Sequence, residues 1–185
     1  MMNKALFLDR DGVINVNYGY VHEINNCQFI DGIFDLTRYA VSKNYKIIIV
    51  TNQSGIGRGY YTENQFYNFM KWMSDVFKNE GVMISKVYYS PYHPIHGKGK
   101  YKKDDFSRKP NPGMLIDAIK EFNIDTSLSV LIGDSVSDIE AGIVAGIGTN
   151  LFLSESEFMN QINKDLYHKI SHLSEGLAFL SINKP

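Results

Sequence analysis

Two carboxylates one residue apart, Asp9 and Asp11, follow directly on the apolar run Ala5-Leu6-Phe7-Leu8 and are closed by Gly12. An unbroken apolar run of this kind reads as a strand buried on both faces, as in a parallel sheet. Such sheets gather their functional groups outside the carboxyl ends of the strands. Residues i and i+2 of an extended chain point the same way, so the two carboxylates converge. Two anions that close repel each other unless a cation sits between them or one carries a proton. By itself the pair is as compatible with a turn that closes a strand. Three further groups of residues decide between the readings.

The first is Thr51-Asn52-Gln53-Ser54-Gly55, which ends the apolar run Ile47-Ile48-Ile49-Val50. The second is Arg108-Lys109, just before Pro110-Asn111-Pro112-Gly113. The third is Gly133-Asp134-Ser135, which follows Val130-Leu131-Ile132, with Asp138 four residues past Asp134. A doubly wound sheet can bring such tips into one crevice. Together they permit attack of a carboxylate, Asp9, on phosphorus. A hard divalent cation, Mg²⁺, held by Asp9, Asp134 and the backbone around Asp11, would offset repulsion between carboxylate and phosphate. Thr51 would hydrogen-bond the phosphoryl oxygens, and Lys109 would add positive charge as the transition state forms. Asp11 would protonate the departing alkoxide and then take a proton from the water that hydrolyses the aspartyl-phosphate. Asp11 must then be protonated for part of the cycle, and its neighbour Asp9 is expected to raise its pKa.

The elements needed to position these residues are legible by periodicity. Ile33, Leu36, Tyr39 and Ala40 have helical spacing, and Thr62 with Gln65 forms a capping box before Phe66, Phe69, Met70, Met73 and Phe77. A short strand is expected over Ile84–Tyr89, then a long loop over Pro91–Ser107. Asn111 is expected to cap, and Pro112 to open, a helix carrying Met114, Leu115, Ala118 and Ile119. Asp138 falls in the first turn of a helix ending at Gly146, and Gly148–Leu153 reads as a last strand. Weak helical signals occupy 156–163 and 174–182. Strands alternating with helices predict an α/β, doubly wound, three-layer Rossmann-like fold with a parallel sheet. The chain is expected to form a single domain over residues 1–185. The segments 11–46 and 53–107 leave no room for a large cap domain, so the substrate itself must fill the opening.

Composition narrows the function classes. The chain has 185 residues, 19 basic and 20 acidic, and a formal net charge of −1. That balance offers no footprint for nucleic acid or an anionic membrane. One cysteine, Cys27, excludes an intramolecular disulfide and any multi-cysteine zinc site, and points to a reducing compartment. The sequence runs from Asn3-Lys4 straight into the first strand, so no signal peptide is expected, and no apolar run approaches the roughly 20 residues of a membrane span. A cytoplasmic location is expected.

The set Asp9-Arg10-Asp11-Gly12, Thr51-Asn52-Gln53-Ser54-Gly55, Arg108-Lys109-Pro110-Asn111-Pro112-Gly113-Met114 and Gly133-Asp134-Ser135 with Asp138 resembles the haloacid-dehalogenase-like (HAD) superfamily. More narrowly, the region Leu6–Leu153 resembles the D-glycero-D-manno-heptose 1,7-bisphosphate phosphatases and their histidinol-phosphatase relatives. The narrower likeness rests on Asn17-Tyr18-Gly19-Tyr20-Val21-His22, the segment Thr51–Gly59, and Tyr88-Tyr89-Ser90-Pro91. It implies an Mg²⁺-dependent phosphomonoester hydrolase with Asp9, Asp11, Thr51 and Lys109 catalytic and Asp9, Asp11 and Asp134 at the metal. It implies removal of the 7-phosphate of a heptose bisphosphate in nucleotide-activated heptose synthesis for lipopolysaccharide or capsule, by a monomer that binds no nucleic acid or membrane. Substrate would be read by Asn17, Tyr18, Gly19, Tyr20, Asn52, Gln53, Ser54, Arg58 and Arg108. A histidinol-phosphate or other small sugar-phosphate phosphatase is the alternative within the group; an anion-binding module using the Lys98–Lys103 loop is the alternative outside it. Many relatives hold a structural zinc in the long loop, but here the matching positions are Ser90, Tyr92, Asp105 and Ser107, so no structural zinc is expected. Relatives also often carry a lysine where this chain has Ser135.

Overall fold

The computed structural model describes residues 2–155 and 162–181. Five segments form the longer strands, the central ones because their apolar residues are covered on both sides. These are β1 (Lys4–Leu8), β2 (Tyr45–Asn52), β3 (Ile84–Ser90), β4 (Val130–Gly133) and β5 (Thr149–Leu153). A sixth, β6 (His168–Ile170), lies at one edge. The sheet order is β3-β2-β1-β4-β5-β6, and every pairing is parallel. The strand carrying Asp9 is thus central, with the tips of β2 and β4 on either side.

Alternation along the central strands divides the core between two faces. Leu6, Leu8, Ile47, Ile49 and Ile132 face α1 (Ile33–Ser42), α3 (Glu63–Asn79) and α6 (Leu177–Leu180). Ala5, Phe7, Ile48, Val50 and Leu131 face α4 (Gly113–Phe122) and α5 (Val136–Val144). Phe7 has no exposed surface, and truncating such a residue to alanine typically costs about 3–5 kcal/mol. The capping box of α3 forms as expected, with Thr62 Oγ1 accepting from Gln65 N. Between β1 and α1 the only regular element is a 3-10 turn at Ile24–Asn26, and between β3 and α4 one at Gly99–Tyr101.

The structure departs from the sequence reading in five places. β6 was not expected. The segment after β2 continues into a single-turn helix, α2 (Ser54–Arg58), rather than a loop. Pro112, not Asn111, is the N-cap of α4, because the Asn111 side chain donates to Asp105 O at 3.3 Å instead. The last long strand begins at Thr149, since Gly148 N is engaged by Thr126 O. The expected helix over 174–182 is a 3-10 turn, Leu173–Gly176, followed by α6. The helical signal over 156–163 falls almost wholly outside the described residues. Among the described residues, no helix is long and apolar enough to cross a membrane.

Candidate active site

The tips of β1, β2 and β4 and the entry to α4 surround a cavity of about 390 Å³ lined by Asp9, Asp11, Thr51, Lys109, Asp134 and Asp138, among others. Asp9 is fixed by its backbone, which donates to Ile132 O at 3.0 Å, and its Oδ1 accepts from Arg10 N at 2.8 Å. The chain then turns sharply, with Gly12 N donating to Asn15 O at 2.7 Å. Gly12 is required here twice over. Its φ is +87°, and a Cβ would lie 1.8 Å from Asp134 Oδ2. The glycine is what lets Asp134 lean across the tip of β1.

Lys109 is 3 % exposed and bridges two carboxylates. Its Nζ lies 2.9 Å from Asp9 Oδ1 and 2.5 Å from Asp138 Oδ1, and it donates to Val50 O at 2.8 Å. Burial works against the ammonium charge, but Asp138 and Asp9 more than offset it and hold its pKa above the usual range. Burial, reinforced by Asp138, pushes the Asp9 carboxyl up to about 8 despite the pull of Lys109. Burial and Asp138 likewise push Asp134 up to about 7. One lysine therefore does not balance the negative charge gathered at this point.

Asp9, Asp134 and Asp138 each offer a carboxylate oxygen, and the three atoms lie within 4.8 Å of one another. Oxygen donors with surplus negative charge fit a hard divalent cation. Asp11, expected at the metal through its backbone, has its carboxyl turned away from this cluster. It accepts from Arg10 NH2 at 2.7 and 2.6 Å, from Asn15 Nδ2 at 3.0 Å and from Gln53 Nε2 at 3.1 Å. Only its backbone carbonyl is left for a cation. Asp138 joins the cluster while also capping α5, where its Oδ2 accepts from Ser135 N and Oγ.

The residues assigned to substrate divide into four groups. Asn17, Gly19, Tyr20 and Ser54 line the cavity. Asn52 and Gln53 also line it, but their side chains are engaged by protein. Asn52 clamps the backbone of Lys109, accepting from its N and donating to its O, both at 3.0 Å. Tyr18 is turned out to Gln28 at 2.6 Å and lines the neighbouring cavity instead. Arg58 and Arg108 stand outside the reacting end. The Arg58 guanidinium lies 5.8 Å from the Tyr20 ring centre, and Arg108 donates to Tyr92 O at 3.1 Å. Burial, then the Arg58 charge, lowers the pKa of Arg108, so the two guanidinia are neighbours. Lys109 and Arg108 thus diverge, from a turn in which Asn111 N donates to Arg108 O at 2.9 Å.

At the loop positions Ser90, Asp105 and Ser107, side chains bond to one another. Ser107 Oγ donates its one hydrogen to Asp105 Oδ1 at 2.6 Å and is hydrogen-bonded to Ser90 Oγ at 3.0 Å. Lys103 pairs with Asp105 at 2.6 Å and lies 4.1 Å above the Tyr92 ring. Sequence reasoning assigned no role to Arg10, Tyr61 or Asp138. Only Asp138 carried a signal, its four-residue spacing from Asp134.

A central strand tip bearing a carboxylate, flanked by a buried lysine, a hydroxyl and two further acidic groups, defines a phosphoryl-transfer enzyme of the open α/β class. A HAD-hydrolase-like family model matches residues 106–176. The D-glycero-α-D-manno-heptose-1,7-bisphosphate 7-phosphatase of Burkholderia mallei is 52 % identical over 85 % of this chain and 83 % of its own length. The β-anomer-named 7-phosphatase of Haemophilus influenzae is 49 % identical over 82 % of each chain. The solved structure of D,D-heptose 1,7-bisphosphate phosphatase from B. bronchiseptica, complexed with magnesium and phosphate, superposes with a TM-score of 0.80. It covers 96 % of this chain and 97 % of that one, at 21 % identity. The chain belongs to the HAD-like hydrolase family, in the branch formed by these heptose-bisphosphate relatives, and is a phosphatase.

Proposed function

We propose that this phosphatase removes the 7-phosphate of D-glycero-D-manno-heptose 1,7-bisphosphate, through an aspartyl-phosphate on Asp9, with Mg²⁺ as cofactor. The observation that carries the mechanism is the Asp9–Lys109–Asp138 contact at the cavity floor. The substrate reading rests on relatives of 42–52 % identity that bear this activity in their names.

Asp9, Asp134 and Asp138, with the backbone at Asp11, would hold the cation. When bound, Mg²⁺ neutralises the carboxylates and lowers the barrier to approach of a phosphate dianion. The remaining roles belong to the chain. Lys109 orients Asp9, and its charge, added to that of the bound cation, favours the ionised form of the attacking oxygen. The Thr51 hydroxyl donates to a phosphoryl oxygen. As the Asp9–phosphorus bond forms and the phosphorus–alkoxide bond breaks, Asp11 gives the alkoxide its proton. It then takes one from the water that attacks the phosphorus of the aspartyl-phosphate. Arg58 and Arg108, beside Tyr20 and away from Lys109, suit the distal phosphate, where a planar fork can grip two oxygens at once. Asn17 and Tyr20 line the intervening space for the sugar. The unit is read as one domain over 1–185, active as a cytoplasmic monomer without nucleic acid or membrane. The loop needs no structural zinc.

A panel of phosphate esters assayed with Mg²⁺ tests the proposal. Both heptose 1,7-bisphosphate anomers, histidinol phosphate, a hexose bisphosphate and simple monophosphates belong in it. The heptose bisphosphates should have the highest kcat/KM, with turnover abolished by EDTA. A higher value for histidinol phosphate would overturn the substrate.

A further inference from the structure

The cavity floor contains a run of hydrogen bonds whose direction is set from one end. Tyr61 Oη donates to Gln53 Oε1 at 2.5 Å. Tyr61 is 4 % exposed. Burial is the main cause of its strongly raised pKa, so the phenol keeps its proton and remains a donor. With Oε1 occupied, the amide nitrogen faces the other way and donates to Thr51 Oγ1 at 2.9 Å and Asp11 Oδ2 at 3.1 Å. An amide nitrogen has two hydrogens, so both are used. The opposite orientation would set a carbonyl oxygen against the Asp11 carboxylate and a nitrogen against a phenol still carrying its proton. The electrostatics therefore favour one orientation.

Two consequences follow for the reacting groups. Thr51 Oγ1 accepts from Gln53, so its own hydrogen is left to be donated into the cavity. Asp11 is gripped on Oδ2 by Gln53, while Arg10 reaches both its oxygens and Asn15 reaches Oδ1. Arg10, Asn15 and Gln53 are each at most 1 % exposed, so the groups that seat Asp11 are buried. Tyr61 is itself held. The His22 ring stacks on it at 4.5 Å with planes 13° apart. Gly55 leaves room for it, since a Cβ there would lie 2.3 Å from Tyr61 Cε1.

We propose that Gln53 and Tyr61 are positioning residues: Tyr61 fixes the Gln53 amide, which in turn aims the Thr51 hydroxyl and seats the Asp11 carboxyl for proton transfer. This rests on Asp11 being the acid for the leaving alkoxide. The test compares an alkyl ester, heptose bisphosphate, with an aryl ester, 4-nitrophenyl phosphate. Nitrophenolate leaves without a proton, whereas an alkoxide does not. The readout is kcat/KM, which reports steps up to transfer of phosphorus to Asp9.

Asp11→Asn is the control and should cost the alkyl ester roughly 10² or more beyond its effect on the aryl ester. Gln53→Ala should show the same selective loss at roughly 10-fold, the scale of a displaced rather than a missing group. Tyr61→Phe keeps the ring and its stacking, and should show the selective loss in smaller measure. Thermal denaturation of each variant identifies any that is unfolded, and Tyr61→Phe decides the matter if Gln53→Ala fails to fold. Equal losses on the two esters, or none, in folded variants would overturn the proposal while leaving the control intact. If Asp11→Asn itself costs both esters equally, the acid assignment falls and the positioning role with it.

Discussion

Replacing Lys109 with methionine isolates the electrostatic argument, because methionine keeps most of the side chain's length and removes only the charge. In the native site the ammonium touches Asp9 Oδ1, Asp138 Oδ1 and Val50 O in a pocket that water barely reaches. Removing one partner of a buried ion pair typically costs about 3–5 kcal/mol, because the other charge is left uncompensated. For a chain of this length each kcal/mol moves Tm by about 2–4 °C, so Lys109→Met should melt roughly 6–20 °C lower in EDTA. The loss should depend on pH in a defined direction. Asp9 and Asp134 are held at about 8 and about 7 in the fold, against 3.8 for an ordinary carboxyl. Between those limits the folded state binds more protons than the unfolded one, so stability falls as pH rises. Without Lys109 the carboxyls hold their protons more tightly still, which steepens that fall. Thermal denaturation of native and variant protein, at about pH 6 and about pH 8.5, reads this directly. The gap in Tm should be larger at the higher pH and narrow again when Mg²⁺ is added there. An equal gap at both pH values, or none, would refute the reading of Lys109 as counter-charge to the cluster.

Arg108→Ala should raise KM for heptose bisphosphate more than for a simple monophosphate, while Lys109→Ala depresses kcat for both; equal KM effects for Arg108→Ala would move it to the reacting end. Elemental analysis of the purified protein should find no stoichiometric zinc, and one zinc per chain would contradict the hydrogen-bonded loop. Asp105→Ala, which severs the Ser107 and Lys103 contacts, should speed proteolytic cleavage within residues 91–107 without a comparable fall in kcat.

How much of this could be read from the sequence depended on whether the determining partner was local. β1 and β4 were legible because Ala5–Leu8 and Val130–Ile132 are apolar without interruption, which only a strand covered on both faces requires. β6 was not, because His168-Lys169-Ile170 has no apolar run and only Ile170 is buried; its pairing to Leu151–Leu153 makes it a strand. The divergence of Arg108 and Lys109 was not legible from adjacency alone, because the backbone there is a turn and not an extended segment. Nor was the role of Asn52, because a side-chain amide at a strand tip suits a phosphate as well as a backbone. Its actual partner, Lys109, lies 57 residues away. Gln53 misled for the same reason, its partners Asp11 and Tyr61 coming from two other segments. Asp138 was visible as spacing, but only the fold brings it to Lys109 and beside Asp9 and Asp134.

The nucleophile is open to direct chemical trapping. Enzyme carrying Asp11→Asn, loaded with Mg²⁺ and 4-nitrophenyl phosphate, should accumulate the phosphorylated form, because nitrophenolate leaves without a proton while hydrolysis lacks its base. Reduction with borohydride converts an aspartyl-phosphate to homoserine, and peptide mass spectrometry locates it. Homoserine at position 9 alone is the expected result. Homoserine at position 134 or 138, or none in an enzyme that still turns over substrate, would contradict covalent catalysis by Asp9.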